Sequence, residues 1–362
     1  MRIGFDARMI GHPGIGRYIT NLLQAMLPLC EKDEFLVFGD ERKITNCQLP
    51  ITNRQVIRYN TPVYSIKELI CHPFSRHNLD VVHIPHFNAP LCNIKNLVVT
   101  IHDLIYTKFS EYLPVMKRKA AKVLIRNAVE KGDKIIAVSE NTRNDILEIN
   151  PKVGSKIRVI YEAADPIFKI IEDQEGLKAV QNKYNLPDNI ILFVGSLKKH
   201  KNIERLLDAF SRVRSKGVKE SLVIIGRYHP HEAGILNKIK RSDAIYLGEV
   251  PTEDLIAIYN LAKLFVLPSL YEGFGLPVLE AFASGLPVAA SNTSSLPEVI
   301  QDAGVLFDPY DIEDICDGIY KALKDESFRH DLKERGLKRV KEFSWERTAK
   351  ETLEVYKEIA GA

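Results

Sequence analysis

The feature that most limits what this chain can become is an alternation: a short apolar run, a loop, then residues with apolar positions at helical spacing. Apolar runs stand at 1–5, 35–38, 56–58, 81–84, 97–101, 134–138 and 157–160, most with helix-like stretches between them. The pattern resumes at 190–194, 222–225, 244–247, 262–268, 287–290 and 305–307. Short strands separated by helices pair in parallel and are buried on both faces, so the expected fold class is α/β, with mostly parallel sheets covered by helices. Ligands bind such sheets at the carboxyl ends of the strands.

A chain of 362 residues exceeds what one core usually serves, so two domains are expected. The change of domain falls within 151–183, where a polar stretch (IEDQEGLKAVQNKY) separates the run at 157–160 from the run at 190–194. The expected domains are therefore 1–165 and 166–342. The last stretch, 343–359, reads as a helix with Ser344 as its cap, Glu346 in its first turn and the sole tryptophan, Trp345. Arg347 stands where a full capping box would need Glu or Gln.

Composition excludes several classes. Hydrophobic content of 45%, charged content of 27% and a net charge of +3 are those of an ordinary soluble protein and do not argue for nucleic acid. Cys30, Cys47, Cys71, Cys92 and Cys316 are odd in number and contain no C-x-x-C, which argues against a disulfide framework or a cysteine zinc site. The N-terminus (MRIGFDARMI) begins a strand at once and no run of eighteen apolar residues occurs, so a cytoplasmic protein without a membrane span or signal peptide is expected.

Two places combine a strand, a glycine loop and a helix start. The second, 269–285 (SLYEGFGLPVLEAFASG), places Pro277 at the first helical position and Gly285 at the end. A helix start leaves backbone N–H groups unpaired and carries partial positive charge, so the amides of Phe274, Gly275 and Leu276 form a seat for a diphosphate. Gly273 and Gly275 let the backbone approach it closely. Glu272 before the seat and Glu280 one turn into the helix are placed to accept hydrogen bonds from hydroxyls on either side. A nucleoside diphosphate sugar has that layout.

The first, after the run at 1–5, is the loop GHPGIGRY, where Gly14 and Gly16 would let the chain approach a ligand and Arg17 is a candidate anion contact. It is not G-x-G-x-x-G, which weakens a dinucleotide reading. His102 and Asp103 end the run at 97–101: the histidine could carry protons near neutrality, and the carboxylate could bind a sugar hydroxyl or take an acceptor's proton. His83, His86 and His102 raise a rival metal reading, against which a spacing of three on a strand puts His83 and His86 on opposite faces. The stretch 114–131 is amphipathic and basic through Lys117, Arg118, Lys119, Lys122 and Arg126; it is either a solvated face or a contact for anionic lipid. The loop after 190–194 carries Lys198, Lys199, His200 and Lys201, where lysine can serve as a point charge on phosphate.

The E-x7-E spacing of Glu272 and Glu280, with G-F-G-L-P after the first, resembles the signature of the retaining, family-4 glycosyltransferases of GT-B fold. The resemblance covers most of the chain and is densest at 195–202 and 269–297. It implies two Rossmann-like domains facing each other across a cleft, with the terminal helix 343–362 returning to the first domain and closure assembling the site. It gives Glu272 the transferred sugar, Glu280 the ribose, Lys201 and the loop amides the diphosphate, Val250 the base, His102 the donor sugar, and the Gly14–Gly16 loop the donor phosphates. The family's usual arginine after the glycine is Ser196 here, which leaves one phosphate contact to His200 or Lys198. Retention implies attack on the face that the diphosphate leaves, and no residue is spaced to declare itself a covalent nucleophile, Glu272 being the one left open.

The wording LPVLEAFASGLPV and SNTSSLPEV looks most like bacterial mannosyl- and rhamnosyl-transferases of surface polysaccharide assembly, lipopolysaccharide among them. GDP-mannose is then the first donor to try, with no cofactor and no metal, and the acceptor a glycan or lipid-linked oligosaccharide. Two other classes remain open: a sugar-nucleotide epimerase of the same fold and a non-catalytic nucleotide-sugar binding protein.

Overall fold

The structure is a computed structural model that describes residues 1–12, 14–47, 49–50, 54–70, 72–109, 115–228 and 233–361, without the side chains of 115, 117 and 233. Cys71 and the expected helix start at Pro114 lie outside the described residues. The chain divides into two compact units, Met1–Glu162 with Phe343–Ala362, and Ala163–Glu342. The expected boundary at 165 moves to 162 for a local reason. Tyr161 and Glu162 are tied to Thr348 and His102, whereas Phe168 packs edge-on against Tyr259 in the second unit.

In the first unit, seven strands form one sheet: β1 (Arg2–Asp6), β2 (Glu34–Gly39), β3 (Arg54–Arg58), β4 (Val81–Ile84), β5 (Leu97–Ile101), β6 (Lys134–Ala137) and β7 (Ile157–Val159). Their order is β3-β2-β1-β4-β5-β6-β7, and every neighbouring pair is parallel. Strand β5 is buried at every residue, because helices cover both faces and no solvent side calls for alternation.

The terminal helix Trp345–Ala360 belongs to this unit, and its start is capped as the serine suggests: Ser344 Oγ accepts from the Arg347 N–H at 3.2 Å. Its stripe Trp345, Ala349, Leu353 and Tyr356 is buried, with Trp345 edge-on to Tyr18 of the helix Ile15–Met26. Removing that stripe from water at about 25 cal/mol per Å² is what holds a helix so distant in sequence against the sheet.

The second unit repeats the plan with six strands: β8 (Ile190–Val194), β9 (Ser221–Ile225), β10 (Ile245–Gly248), β11 (Leu264–Leu267), β12 (Val288–Ser291) and β13 (Gly304–Phe307). The order is β10-β9-β8-β11-β12-β13, again parallel throughout. Each unit is thus a doubly wound, Rossmann-like sheet. Among the described residues, no helix is long and apolar enough to cross a membrane. Cys30, Cys47, Cys92 and Cys316 are free thiols.

Candidate active site

In the second sheet, β8 and β11 lie side by side while their successors run off in opposite directions, so a crevice opens beyond the carboxyl ends of these two strands. Strand β8 delivers the turn Lys199–Lys201 to that point, and β11 delivers the loop through Glu272. The two loops are fastened together. Leu270 N–H donates to His200 O at 2.7 Å, and the buried Asn202, in the left-handed conformation at φ 58°, donates to Pro268 O at 3.0 Å and Pro309 O at 2.7 Å. Lys201 Nζ consequently stands 2.6 Å from Glu272 Oε1, with the side chains 13% and 11% exposed.

The helix after this loop is Leu276–Ala283, so Leu276 rather than Pro277 is its first residue and Pro277 takes the second position, which equally needs no N–H partner. Gly275 caps it at φ 110°, a conformation that costs a side chain strain, and a Cβ there would stand 2.8 Å from Leu296. The polar run after β12 holds the loop in place. Ser294 Oγ accepts from Glu272 N–H at 2.9 Å, and Ser295 Oγ donates to Glu272 O at 3.0 Å and Phe274 O at 2.8 Å. Glu272's own amide is therefore engaged. The positive pole of the helix falls on the amides beyond it, at Gly275 and Leu276, with Gly273 and Phe274 in the held loop.

Glu280 is 3% exposed, and Tyr259 Oη donates to its Oε2 at 2.9 Å. The two carboxylates are thus held differently, one by an ammonium and one by a phenol, and neither is aimed into open solvent. Ser196 is half-buried in the β8 loop, where its carbonyl accepts from Lys198 N–H at 2.8 Å; Lys198 is exposed and His200 half-buried. Val250, half-buried, follows β10, two strands along the sheet from β8. Asn202, Tyr259, Ser294 and Ser295 escaped the motif-based reading, because an isolated Asn, Tyr or Ser carries no chemical signature until its partner is known.

In the first unit the corresponding crevice lies beyond β1 and β4. Gly14 sits at φ 80° as the cap of the helix Ile15–Met26. Gly16 is required by the loop's own packing: its N–H donates to His12 O at 2.8 Å, and a Cβ would stand 2.3 Å from Ile10 O. Arg17 is half-buried on the first turn of that helix. Asp103 Oδ1 accepts from Ile105 N–H at 3.1 Å, which fastens the turn Ile105–Lys108.

His102 is held at both ring nitrogens. Its Nδ1 stands 2.7 Å from Glu162 Oε1 and its Nε2 3.0 Å from Pro85 O, and both partners can only accept. Burial by itself pushes this imidazole down, but the hydrogen bond and charge of Glu162, with the Pro85 carbonyl and the charge of Asp103, outweigh it and leave His102 raised above 6.5. With an acceptor facing each nitrogen, the ring is fixed in place between Glu162 and Pro85, and the raised pKa favours its protonated form. The rival metal trio fares no better. His83 faces Tyr356 Oη at 2.5 Å and Thr100 Oγ1 at 2.8 Å, and burial lowers it to about 3; His86 Nε2 faces Tyr64 Oη at 2.5 Å.

The ends of β1 and β4 also hold a buried charge network that no motif announced. Arg8 Nη2 lies 2.6 Å from Asp6 and 2.7 Å from Glu68, all three side chains being nearly inaccessible, and its guanidinium stacks 4.0 Å from the Tyr59 ring centroid. Asn88 Nδ2 also donates to Glu68.

Residues 14–167 match the family described as "Glycosyltransferase Family 4", and residues 176–339 match "Glycosyl transferases group 1". The chain is 30% identical to an O-antigen chain mannosyltransferase B of Escherichia coli, over 99% of this chain and 100% of the relative. A serotype-specific mannosyltransferase WbdA of Escherichia coli is 33% identical over 75% of this chain, which spans 34% of that larger protein. Among solved structures, the sucrose-phosphate synthase of Thermosynechococcus elongatus superposes with a TM-score of 0.76 at 20% identity, covering 100% of this chain and 99% of the other. Anabaena HepE, solved with UDP and glucose, superposes with a TM-score of 0.75 at 17% identity, covering 98% of each chain. The lipopolysaccharide glycosyltransferase WaaG gives 0.74 at 17% identity, covering 99% of this chain and 100% of that one.

Proposed function

Given that this chain belongs to the family-4 glycosyltransferases and has their GT-B fold, we propose that it moves mannose from GDP-mannose, with retention, to a glycan or lipid-linked oligosaccharide in cell-surface polysaccharide synthesis. The observation that carries this reading is the Lys201–Glu272 pair at the β8/β11 crevice, directly before a helix start. A cation and helix amides offer a diphosphate its counter-charge, while the carboxylate offers a sugar hydroxyl its acceptor. The mannosyltransferase relatives support the choice of sugar.

In this reaction the C1–O bond to the diphosphate breaks, its electron pair leaving on the phosphate oxygen. The acceptor oxygen bonds to C1 on the same face and its proton passes to the departing phosphate. Lys201 and the amides of Gly275 and Leu276 stabilise the charge that develops on the leaving group, where preorganised donors act most strongly. Glu272 orients the sugar. Glu280, held by Tyr259, binds the ribose, and Val250 lies against the base. Glu272 draws Lys201 away from other anions in the unliganded protein, so donor binding exchanges the carboxylate for a phosphate at Nζ. The enzyme works in the cytoplasm and needs no metal.

A lipid-linked acceptor gives meaning to one face of the first unit. Met116 (78% exposed), Val123 (62%), Ile66 (78%), Ile70 (69%) and Leu91 (48%) stand among the exposed Lys67, Lys119, Lys122 and Arg126. Their elements adjoin: Leu91 N–H donates to Leu69 O, and Asn127 Nδ2 donates to Ala89 O. Apolar side chains ringed by cations suit the surface of an anionic membrane. Lys117, part of the same basic run, has its side chain outside the described residues.

The test is direct. A thermal-shift screen of GDP, UDP, ADP and dTDP should favour GDP, because a ligand that binds only the folded state raises its melting point. Incubation with GDP-mannose should then release GDP slowly without acceptor and faster with one. A preference for another base, or conversion of the donor to an epimer without transfer, overturns the proposal.

A further inference from the structure

A cavity of about 450 Å³ opens at the amino-terminal edge of the second sheet, beside Lys263 before β11 and Pro287 before β12. It therefore lies at the end of the strands opposite Lys201 and Glu272. Its remaining walls come from the end of the Leu276–Ala283 helix, at Ser284 and Gly285, and from the helix Glu326–Val340.

Three permanent cations, Lys263, Arg329 and Lys333, line it against one carboxylate, Glu326. Lys263 is partly answered by Glu220 at 3.5 Å, and Arg329 Nη1 donates to Leu323 O at 2.9 Å. Lys333 makes no hydrogen bond or ion pair among the described residues, and its stem passes so near Gly285 that a Cβ there would stand 3.1 Å from Lys333 Cε. A half-buried cation without a counter-ion, in a lining of three cations and one carboxylate, favours an anionic ligand.

Part of the lining is apolar: Ile170, 44% exposed, and Leu177 line the cavity, Ile170 beside the Lys333 stem over Gly285, so a bare ion would leave hydrocarbon wet. The volume suits a molecule of monosaccharide-phosphate size.

We propose that this cavity binds a small sugar phosphomonoester, its phosphate on Lys333 and Arg329 and its body along Ile170 and Leu177. The site is separate from the diphosphate seat and stands whether or not the donor is GDP-mannose.

Isothermal titration of the full chain with mannose 6-phosphate, with glucose 6-phosphate and with inorganic phosphate, each in the presence of millimolar GDP and UDP, tests it. Saturable binding of a hexose phosphate is expected, at least tenfold tighter than inorganic phosphate. Lys333→Ala should weaken it tenfold or more, and Lys333→Arg should retain it. Thermal melts of the variants near the wild-type value show that the fold is kept. Absence of binding, displacement by the nucleoside diphosphates, binding unchanged in Lys333→Ala, or equal affinity for inorganic phosphate overturns the assignment.

Discussion

Lys201 Nζ lies 2.6 Å from a carboxylate oxygen of Glu272 although 71 residues separate the two in the chain. Neither residue is on the other's strand or loop; they meet because β8 and β11 are neighbours and both end at the same crevice. A pair so largely shielded from solvent is weak evidence for stability, because the cost of desolvating both charges offsets their attraction.

Removing either partner should separate two jobs. Lys201→Ala should weaken nucleoside diphosphate binding about tenfold and lower transfer by about a hundredfold or more, as the loss of a donor to developing charge does. Glu272→Gln should abolish most transfer while leaving diphosphate affinity equal or tighter, because Lys201 is released. Calorimetry with the diphosphate and initial rates with the donor read both; loss of diphosphate affinity in Glu272→Gln contradicts the division.

Tyr259→Phe tests the support of Glu280. Both groups are buried, and the phenol donates to Glu280 Oε2 at 2.9 Å. Deleting the hydroxyl leaves a buried carboxylate short of a donor, at a cost of about 1.5–3 kcal/mol for a hydrogen bond to a charged group. Urea unfolding should show that loss, and affinity for the nucleoside diphosphate should fall with it, whereas affinity for inorganic diphosphate should not.

Gly275→Ala should destabilise the second unit by about 1–2 kcal/mol, since alanine at a positive φ is strained and the new Cβ presses on Leu296. Leu296 can shift, so the backbone conformation carries most of the cost. Differential scanning calorimetry and diphosphate titration should show a lower melting temperature together with weaker binding.

Stability should depend on pH through two histidines with opposite sign. His102 is raised in the folded state, so its contribution is full below about 6.5, the unfolded value, and fades as pH rises through its folded value. His102→Gln should therefore cost more at pH 5.5 than at pH 9. His83, lowered to about 3, stabilises the folded state above about 6.5, and this stability drains away as pH falls toward 3, at up to about 1.4 kcal/mol per pH unit. Urea unfolding across pH reads both, and a His102→Gln cost that grows with pH reverses the first assignment.

Membrane contact should follow the apolar face. Ile66→Asp combined with Val123→Asp should abolish co-sedimentation with vesicles containing phosphatidylglycerol, and salt should weaken wild-type binding. Because both side chains are exposed, the melting temperature should hold. Equal binding to purely zwitterionic vesicles counts against the cationic ring.

The alternation of apolar runs and helix-like stretches is a local code, since burial on two faces is visible in three to five consecutive residues. It suffices for the fold class and for two sheets, and at 269–285 glycine and proline mark the helix start within a few residues. The partners are another matter. That Glu272 faces Lys201, that Tyr259 holds Glu280, and that Glu162 fixes the ring of His102 all depend on which strands become neighbours. Strand order is settled by packing over the whole domain, so no window of the chain contains it, and the same residue types in another order would have met different companions.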